Sequence, residues 1–319
     1  MSRTMWRWGR FVASAITLSV LVWRLGASPF LDGIRTVDGG ALAAGAGLGV
    51  LTTVCHAWRW KIVARGLGID LPLPAAVAAY YRGLFLNVTL PGGVVGDVHR
   101  GVSHGREVRD VGRALRAAMW ERFAGQVVQF VLTVVVLLVL PSPVHSSVPL
   151  VAIAVVVAGS CVVLVARARP GDGRSARARV GAAARQDIRD GLLARRAWPA
   201  IVLASAVAVC GHAVTFMIAA RTAGITAPAS HVLPLALLVM LVMVVPSVGG
   251  WGPREGGAAW VFGAAGLGAN HGVTTAVVYG VMVLVATLPG AAVLVVSCVR
   301  RIRAPERTEP RIGEKAAHA

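Results

Sequence analysis

Two short stretches set charged side chains beside glycine and proline inside otherwise apolar sequence. The first is Leu90-Pro-Gly-Gly-Val-Val-Gly-Asp-Val-His-Arg100; the second is Val245-Pro-Ser-Val-Gly-Gly-Trp-Gly-Pro-Arg-Glu255. Glycines such as Gly92, Gly93 and Gly96 permit tight turns with free backbone N–H groups. A helix beginning near Asp97 would favour an anion at its N-terminus, and Arg100 can clamp a phosphate bidentately. Arg254 and Glu255 lie between two short apolar segments. Ionisable groups at membrane depth are costly and default to function, but a structural ion pair closing the break fits them equally. Asn87 offers an amide to the broken backbone and to a ligand, and His99 could relay protons near neutral pH. By themselves, Glu121 and Arg122 read as interfacial anchors beside Trp120. Arg106, Arg109, Arg113 and Arg116 read as ordinary solvated charge.

Other chemistries find no support. His56, His104, His145, His212, His231 and His271 make no HxxxH or HExxH pattern, so neither a metal nor a cofactor is expected. There is no nucleophile elbow, Walker loop or dinucleotide fingerprint. Cys55, Cys161, Cys210 and Cys298 are scattered through apolar segments and read as small buried residues.

The elements that must position these residues are membrane helices. The chain has 319 residues, 56% hydrophobic and only 14% charged, with mean hydropathy +0.70. A soluble domain would carry about a quarter charged residues. The net charge of +18 does not call for nucleic acid. Most basic residues cluster in segments that the positive-inside rule assigns to the cytoplasm, among them Arg59, Lys61 and Arg65 after the second span. Trp6, Trp8, Trp58, Trp60, Trp120 and Trp198 fall at the same span ends, as an interfacial belt requires. Residues 1–27 have the basic start and apolar core of a signal peptide, but the chain continues as a multi-span protein, so an uncleaved first helix is expected.

Six full spans are expected, at about Phe11–Leu25, Gly40–Trp58, Ala118–Leu140, Pro149–Ala166, Trp198–Ala220 and Val273–Val299. Two broken elements bring the total to eight. Ala75–Leu90 has basic segments on both sides, so a re-entrant hairpin turning at Leu90–Gly96 and returning through polar residues satisfies the topology. Non-helical backbone at that depth must be buried in protein or line a cavity. The second broken element places Leu233–Val245 and Gly256–Leu267 around Pro246–Glu255. Residues 167–197 form an Arg-rich cytoplasmic loop ending in an amphipathic helix, Ala184–Arg196. The tail, 301–319, is expected to be disordered, with both termini cytoplasmic.

The two broken elements are also a repeat. Arg65, Gly68, Ile69 and Pro72 recur 156 residues later as Arg221, Gly224, Ile225 and Pro228; Pro91 recurs as Pro246 and Arg100 as Arg254. Counting crossings, the first unit (about 40–140) opens from the cytoplasm and the second (198–299) from outside. The expectation is an all-α polytopic membrane protein, one transmembrane domain over 1–300, built as an inverted repeat with its site at the broken helices.

The motifs resemble the lysylphosphatidylglycerol synthase transmembrane family, a flippase-like domain of bacteria and archaea. The family pattern, which reads here as N-x-x-L-P-G-x-x-x-G-D-x-x-R, falls on Asn87, Leu90, Pro91, Gly92, Gly96, Asp97 and Arg100. E-R-x-x-G falls on Glu121, Arg122 and Gly125, and the third motif, which reads here as P-x-x-G-G-x-G-x-R-E, on Pro246, Gly249, Gly250, Gly252, Arg254 and Glu255. The resemblance implies a lipid-translocating domain of the cell membrane. It makes Glu121 and Arg122 candidates for orienting Asp97 and Arg100. The chain has no room for a soluble aminoacyl transferase, so synthase activity is not implied. The expected function is a lipid flippase that is not an enzyme. It would move a phosphate-bearing lipid, aminoacylated or glycosylated, with Asp97, Glu121 and Glu255 able to balance a lysyl cation. The alternatives are a membrane-embedded transferase on phospholipid or polyprenyl-phosphate substrates, with Asp97 or Glu255 as base, and an accessory subunit partnering a lipid-synthesising enzyme.

Overall fold

Long apolar runs form helices that satisfy backbone polar groups internally, as a bilayer demands. The computed structural model describes residues 17–90, 95–142, 176–195, 197–244 and 251–303, and its elements are helical. They are α1 (17–25), α2 (Ser28–Arg35), α3 (Gly39–Gly66), α4 (Leu73–Thr89), α5 (Val95–Glu107), α6 (Val111–Val139) and α7 (Ala176–Gln186). A π-helical turn (Asp187–Leu192) follows, then α8 (Trp198–Thr222), α9 (Ala229–Val242), α10 (Pro253–Ala264) and α11 (Ala269–Arg303). Four of these, α3, α6, α8 and α11, are long and apolar enough to cross a membrane, and α9 is a shorter apolar helix. They answer to four of the six expected spans. The span at Pro149–Ala166, residues 11–16 of the first span, the tail beyond Arg303, and Pro91, Gly92, Gly93, Pro246, Gly249 and Gly250 lie outside the described residues.

Both repeat motifs fold into the same helix stop. Gly68 and Gly224 have φ of +76° and +85°, a conformation open to glycine without a Cβ clash. Ile69 N–H donates to the Ala64 carbonyl at 2.9 Å and Gly68 N–H to that of Arg65 at 3.0 Å. In the second copy Ile225 donates to Ala220 and Gly224 to Arg221, both at 3.0 Å. These paired bonds satisfy carbonyls orphaned at the helix end. Ile69 and Ile225 are buried in separate apolar clusters, one around Trp60 and Val63, the other around Phe216 and Phe262. Pro72 and Pro228 then hold the extended residue before α4 and α9.

The directions of the helices follow from their contacts. Thr52 of α3 lies against Gly211 of α8 and Arg59 reaches Ser205, so these two run antiparallel. Gly45 faces Met282 and Gly49 faces Ala286, where an added Cβ would come within 3.0 and 2.6 Å, so α3 and α11 run parallel. Small residues allow such close approach where apolar lipid offers no hydrophobic drive for helices to associate. The α4–α5 hairpin leaves from the C-terminal end of α3. The α9–α10 hairpin leaves from the C-terminal end of α8, where Arg221 and Thr222 share a cleft with Asp38 and Gly40 at the start of α3.

Several expectations need correction. The return through polar residues after the first break is helical: α5 runs antiparallel onto α6, and Gly101 and Gly105 let Leu115 and Val111 approach where a Cβ would sit within 2.8 and 2.5 Å. Arg109, at φ +57°, turns the chain, and Asp110 caps α6 by accepting from Arg113 N–H at 2.9 Å. The helix thus starts at Val111 rather than Ala118. The expected helix Ala184–Arg196 is instead the end of α7 and the π turn. There the buried Asp187 carboxylate accepts from Arg116 Nε at 2.8 Å and Trp120 Nε1 at 3.1 Å, so Arg116 is an anchor as well as a charge. Cys210 and Cys298 are exposed on the outer helix faces and Cys55 is half-buried, not core residues; Cys161 lies outside the described segments.

Candidate functional site

Thr52, His56, Arg59 and Val63 recur at helical spacing along α3, so one face of that span carries polar groups inward. Arg59 is 4% exposed and lies about 10 Å in from the end of the helix, at 1.5 Å per residue. It is not the cytoplasmic surface charge expected from the sequence. Its Nε and Nη2 donate to Glu121 Oε1 at 2.9 and 2.5 Å, and its Nη1 donates to Ser205 Oγ at 2.9 Å. Nη2 also lies 3.0 Å from His56 Nδ1. A guanidinium has no acceptor, so that imidazole nitrogen accepts.

Glu121 is the hub. Fully buried on α6, it also accepts from Tyr80 Oη at 2.9 Å to each oxygen and from Arg100 Nη2 at 2.6 Å. A buried carboxylate needs this degree of pairing to remain charged. Arg100, 1% exposed, is further held between aromatic faces, its Cζ lying 4.3 Å from the Tyr80 ring centroid and 4.5 Å from that of Trp60. Such desolvated cation–π contacts are worth about 2 kcal/mol. Trp60, expected at the interface, is therefore a wall of this site. Gly125 completes the E-R-x-x-G pattern for a steric reason: a Cβ there would lie 2.6 Å from the Arg59 guanidinium.

Asp97 links this core to the hairpin. It sits in the first turn of α5 and accepts from Arg100 Nε at 3.1 Å, from Asn87 Nδ2 at 3.3 Å and from Arg122 Nη1. Asn87 bonds the break itself, accepting from Gly96 N–H at 2.7 Å. Gly96 is required by close approach: a Cβ there would collide with the Gly83 carbonyl. Accessibility is graded, from the Arg122 side chain at 41% through Asp97 at 19% to Glu121 at 0%.

The second centre is more self-contained. Gly252, at φ +95°, precedes α10 and donates its N–H to Glu255 Oε2 at 2.7 Å. Glu255 Oε1 accepts from Arg254 Nε and Nη2 at 2.8 and 2.5 Å. The Arg254 guanidinium lies 4.9 Å from the Trp251 ring centroid and packs on Gly280, where a Cβ would collide with it. The structural pair anticipated from the sequence is thus present. Mapped through the parallel α3–α11 contact, the two arginine centres are about 20 Å apart along the bundle. A row of polar side chains spans that interval. Tyr279 Oη is 3.3 Å from His212 Nδ1, the His212 and His56 rings are 5.9 Å apart, and His56 stacks on Tyr80 at 5.6 Å.

A family model described as the lysylphosphatidylglycerol synthase TM region matches residues 8–290. The chain belongs to that family. It is a multi-pass membrane protein, and the match extends over both arginine centres and every helix from α1 to α10. Among curated proteins, none matches this chain. The motif residues Asn87, Asp97, Arg100, Glu121 and Arg122 form one bonded network, whereas Arg254 and Glu255 form another. Arg59, Tyr80, His56, His212 and Tyr279 were not singled out from sequence as site residues. For Arg59 the missed signal was the polar stripe on α3, because a cation near the end of a span reads first as positive-inside charge. Among the described residues, no group of three histidine, cysteine or carboxylate side chains is placed to hold a metal.

Proposed function

We propose that this protein is a lipid flippase of the cell membrane, moving a phosphate-bearing lipid between leaflets while its acyl chains stay in the bilayer. The observation that carries the reading is the convergence of Arg59, Arg100 and Arg122 on two carboxylates, Glu121 and Asp97. That leaves a net positive centre inside a membrane protein. Arginine suits phosphate because its planar fork binds two oxygens at once and never loses its charge. The graded exposure from Arg122 inward supports entry of a headgroup from the side of the first hairpin, with both termini on the cytoplasmic side. The separation of the centres favours alternate rather than joint binding by Arg100 and Arg254. The matching helix stops and the opposite ends from which the hairpins leave support an inverted repeat whose halves rock about the site.

The pairing of Asp97 and Glu255 with arginines weighs against a transferase. A carboxylate held by guanidinium donors is a poor general base, since protonation would leave the arginine uncompensated. The test is Arg100→Ala and Arg254→Ala in cells. Outer-leaflet display of the lipid should be abolished while total lipid stays constant. Unchanged display in both variants would sink the assignment, and a missing or new lipid species would favour the transferase.

A further inference from the structure

Two imidazoles at mid-span are ionisable groups that the proposed function leaves unused. His56 on α3 and His212 on α8 each lie about 15 Å or more from either end of their helices, at 1.5 Å per residue. Both are half-buried, whereas Thr52, Arg59, Ser205 and Tyr279 around them are buried. The pair is thus reached from a gap in the bundle rather than sealed in its core. Ionisable groups at membrane depth are costly and mark pathways for ions and protons.

Their bonding gives them different parts. Arg59 Nη2 lies 3.0 Å from His56 Nδ1. A guanidinium can only donate, so Nδ1 holds no proton and His56 is neutral. Arg100 and Arg122 also act on this ring, Glu121 stands behind Arg59, and Tyr80 stacks on it. Among the described residues, His212 has no such cation against it. It faces the neutral His56 ring at 5.9 Å and Tyr279 Oη, 3.3 Å from its Nδ1. Arg254 approaches only from behind Tyr279. A phenol oxygen can accept as well as donate. Tyr279 can therefore accept from an Nδ1–H that is present in both charge states of His212, which leaves Nε2 free to take and release a proton.

The charge count supplies the coupling. Arg59, Arg100 and Arg122 against Glu121 and Asp97 leave one net positive charge in the first centre. That charge opposes a further cation on His212, and an anionic headgroup cancels it. At roughly 10 Å and an effective dielectric of about 20, one charge changes the binding of the other by about tenfold. The effect is reciprocal.

We propose that the protein carries one proton with each anionic lipid, and that His212 is the proton site. The proton joins the Nε2 lone pair on one side of the membrane and leaves from the same nitrogen on the other. Lipid anion and proton cross together as a neutral pair. This rests on the lipid-translocation reading and adds to it a coupling ion.

The experiment places the full chain in phosphatidylcholine vesicles with a trace of tail-labelled phosphatidylglycerol. Potassium and valinomycin hold the membrane potential at zero, and protein-free vesicles give the background. Under a pH difference of about two units, the label should concentrate in the leaflet facing the alkaline side by about tenfold or more, within the roughly hundredfold that one proton per lipid allows. His212→Gln keeps a side-chain amide for Tyr279 without a titratable proton, and its leaflet ratio should settle at about one. Label that moves to an even distribution with the unmodified protein would overturn the coupling and leave translocation standing. An undiminished ratio in His212→Gln would overturn the proton site. If that variant does not fold, Tyr279→Phe serves instead: a lowered ratio supports the site and an unchanged one counts against it. If no lipid moves, calorimetry of phosphatidylglycerol binding in buffers of different ionisation enthalpy counts the protons taken up. Uptake that His212→Gln abolishes would uphold the proton site and remove translocation; no uptake would overturn both.

Discussion

Gly68 and Gly224 close helices by the same pair of hydrogen bonds, yet the arginines that follow them are held in different ways. Arg100 is fixed by side chains from three other helices: Glu121 on α6, Tyr80 on α4 and Trp60 on α3. Arg254 is fixed by its own neighbour, Glu255, which also caps the Gly252 N–H, and by the ring of Trp251. The first centre is thus a tertiary structure and the second mainly a local one. A locally assembled pair can travel with its hairpin as a unit. A pair assembled across four helices cannot move without breaking buried ion pairs. On the flippase reading proposed above, the second unit is suited to motion and the first to defining where a headgroup rests.

The comparison is broken most directly at the hubs. Glu121→Ala strands two buried guanidinium groups and should cost about 3–5 kcal/mol, read as loss of folded, monodisperse protein or a large drop in thermal stability in detergent. Glu255→Ala strands one, and its loss should be smaller by about 2 kcal/mol. Equal losses would show that the second centre is as tertiary as the first.

The glycines beneath the arginines come next. Gly125→Ala and Gly280→Ala each push a methyl into a guanidinium, of Arg59 and Arg254 respectively, at about 1–3 kcal/mol. On the proposed flippase reading, Gly125→Ala should also lower lipid transport by displacing Arg59 from Glu121. Transport at the unmodified rate in that variant would detach the Arg59–Glu121 pair from function. The smallest effects belong to the helix stops. Gly68→Ala and Gly224→Ala should each cost about 1 kcal/mol, the strain of an alanine at positive φ. Matching shifts in unfolding temperature support equivalent stops, whereas a shift at only one of them breaks the equivalence.

Much of the helical layout was legible because periodicity and span length are local properties. Four expected spans, both helix–break–helix segments and the role of Asn87 in bonding the break follow from spacing, proline and glycine. Arg59 and Trp60 were misread because the positive-inside and aromatic-belt rules describe populations. They do not reveal that α3 continues to Gly66 and turns those two side chains inward. The polar segment after Arg100 hid α5 because its glycines look like loop residues until α6 is set against them. The cysteines were assigned to the core from residue type alone, while the face each occupies is fixed by which neighbours its helix acquires.

The sequence by itself determined that the chain is a membrane protein, where its apolar helices break, which family it belongs to, and that the breaks carry arginine beside acid. Those facts reside in composition and short-range spacing. Only the tertiary structure decided which acid serves which arginine. Glu121 is 21 residues from Arg100 and 62 from Arg59, and no local rule joins them. Their union depends on α3, α5 and α6 packing closely enough, over glycine, for three side chains to share one dry space. The same packing decided that Glu121 gathers two arginines and a tyrosine. That grouping belongs to the assembled site, because it appears only after each side chain has met its partners.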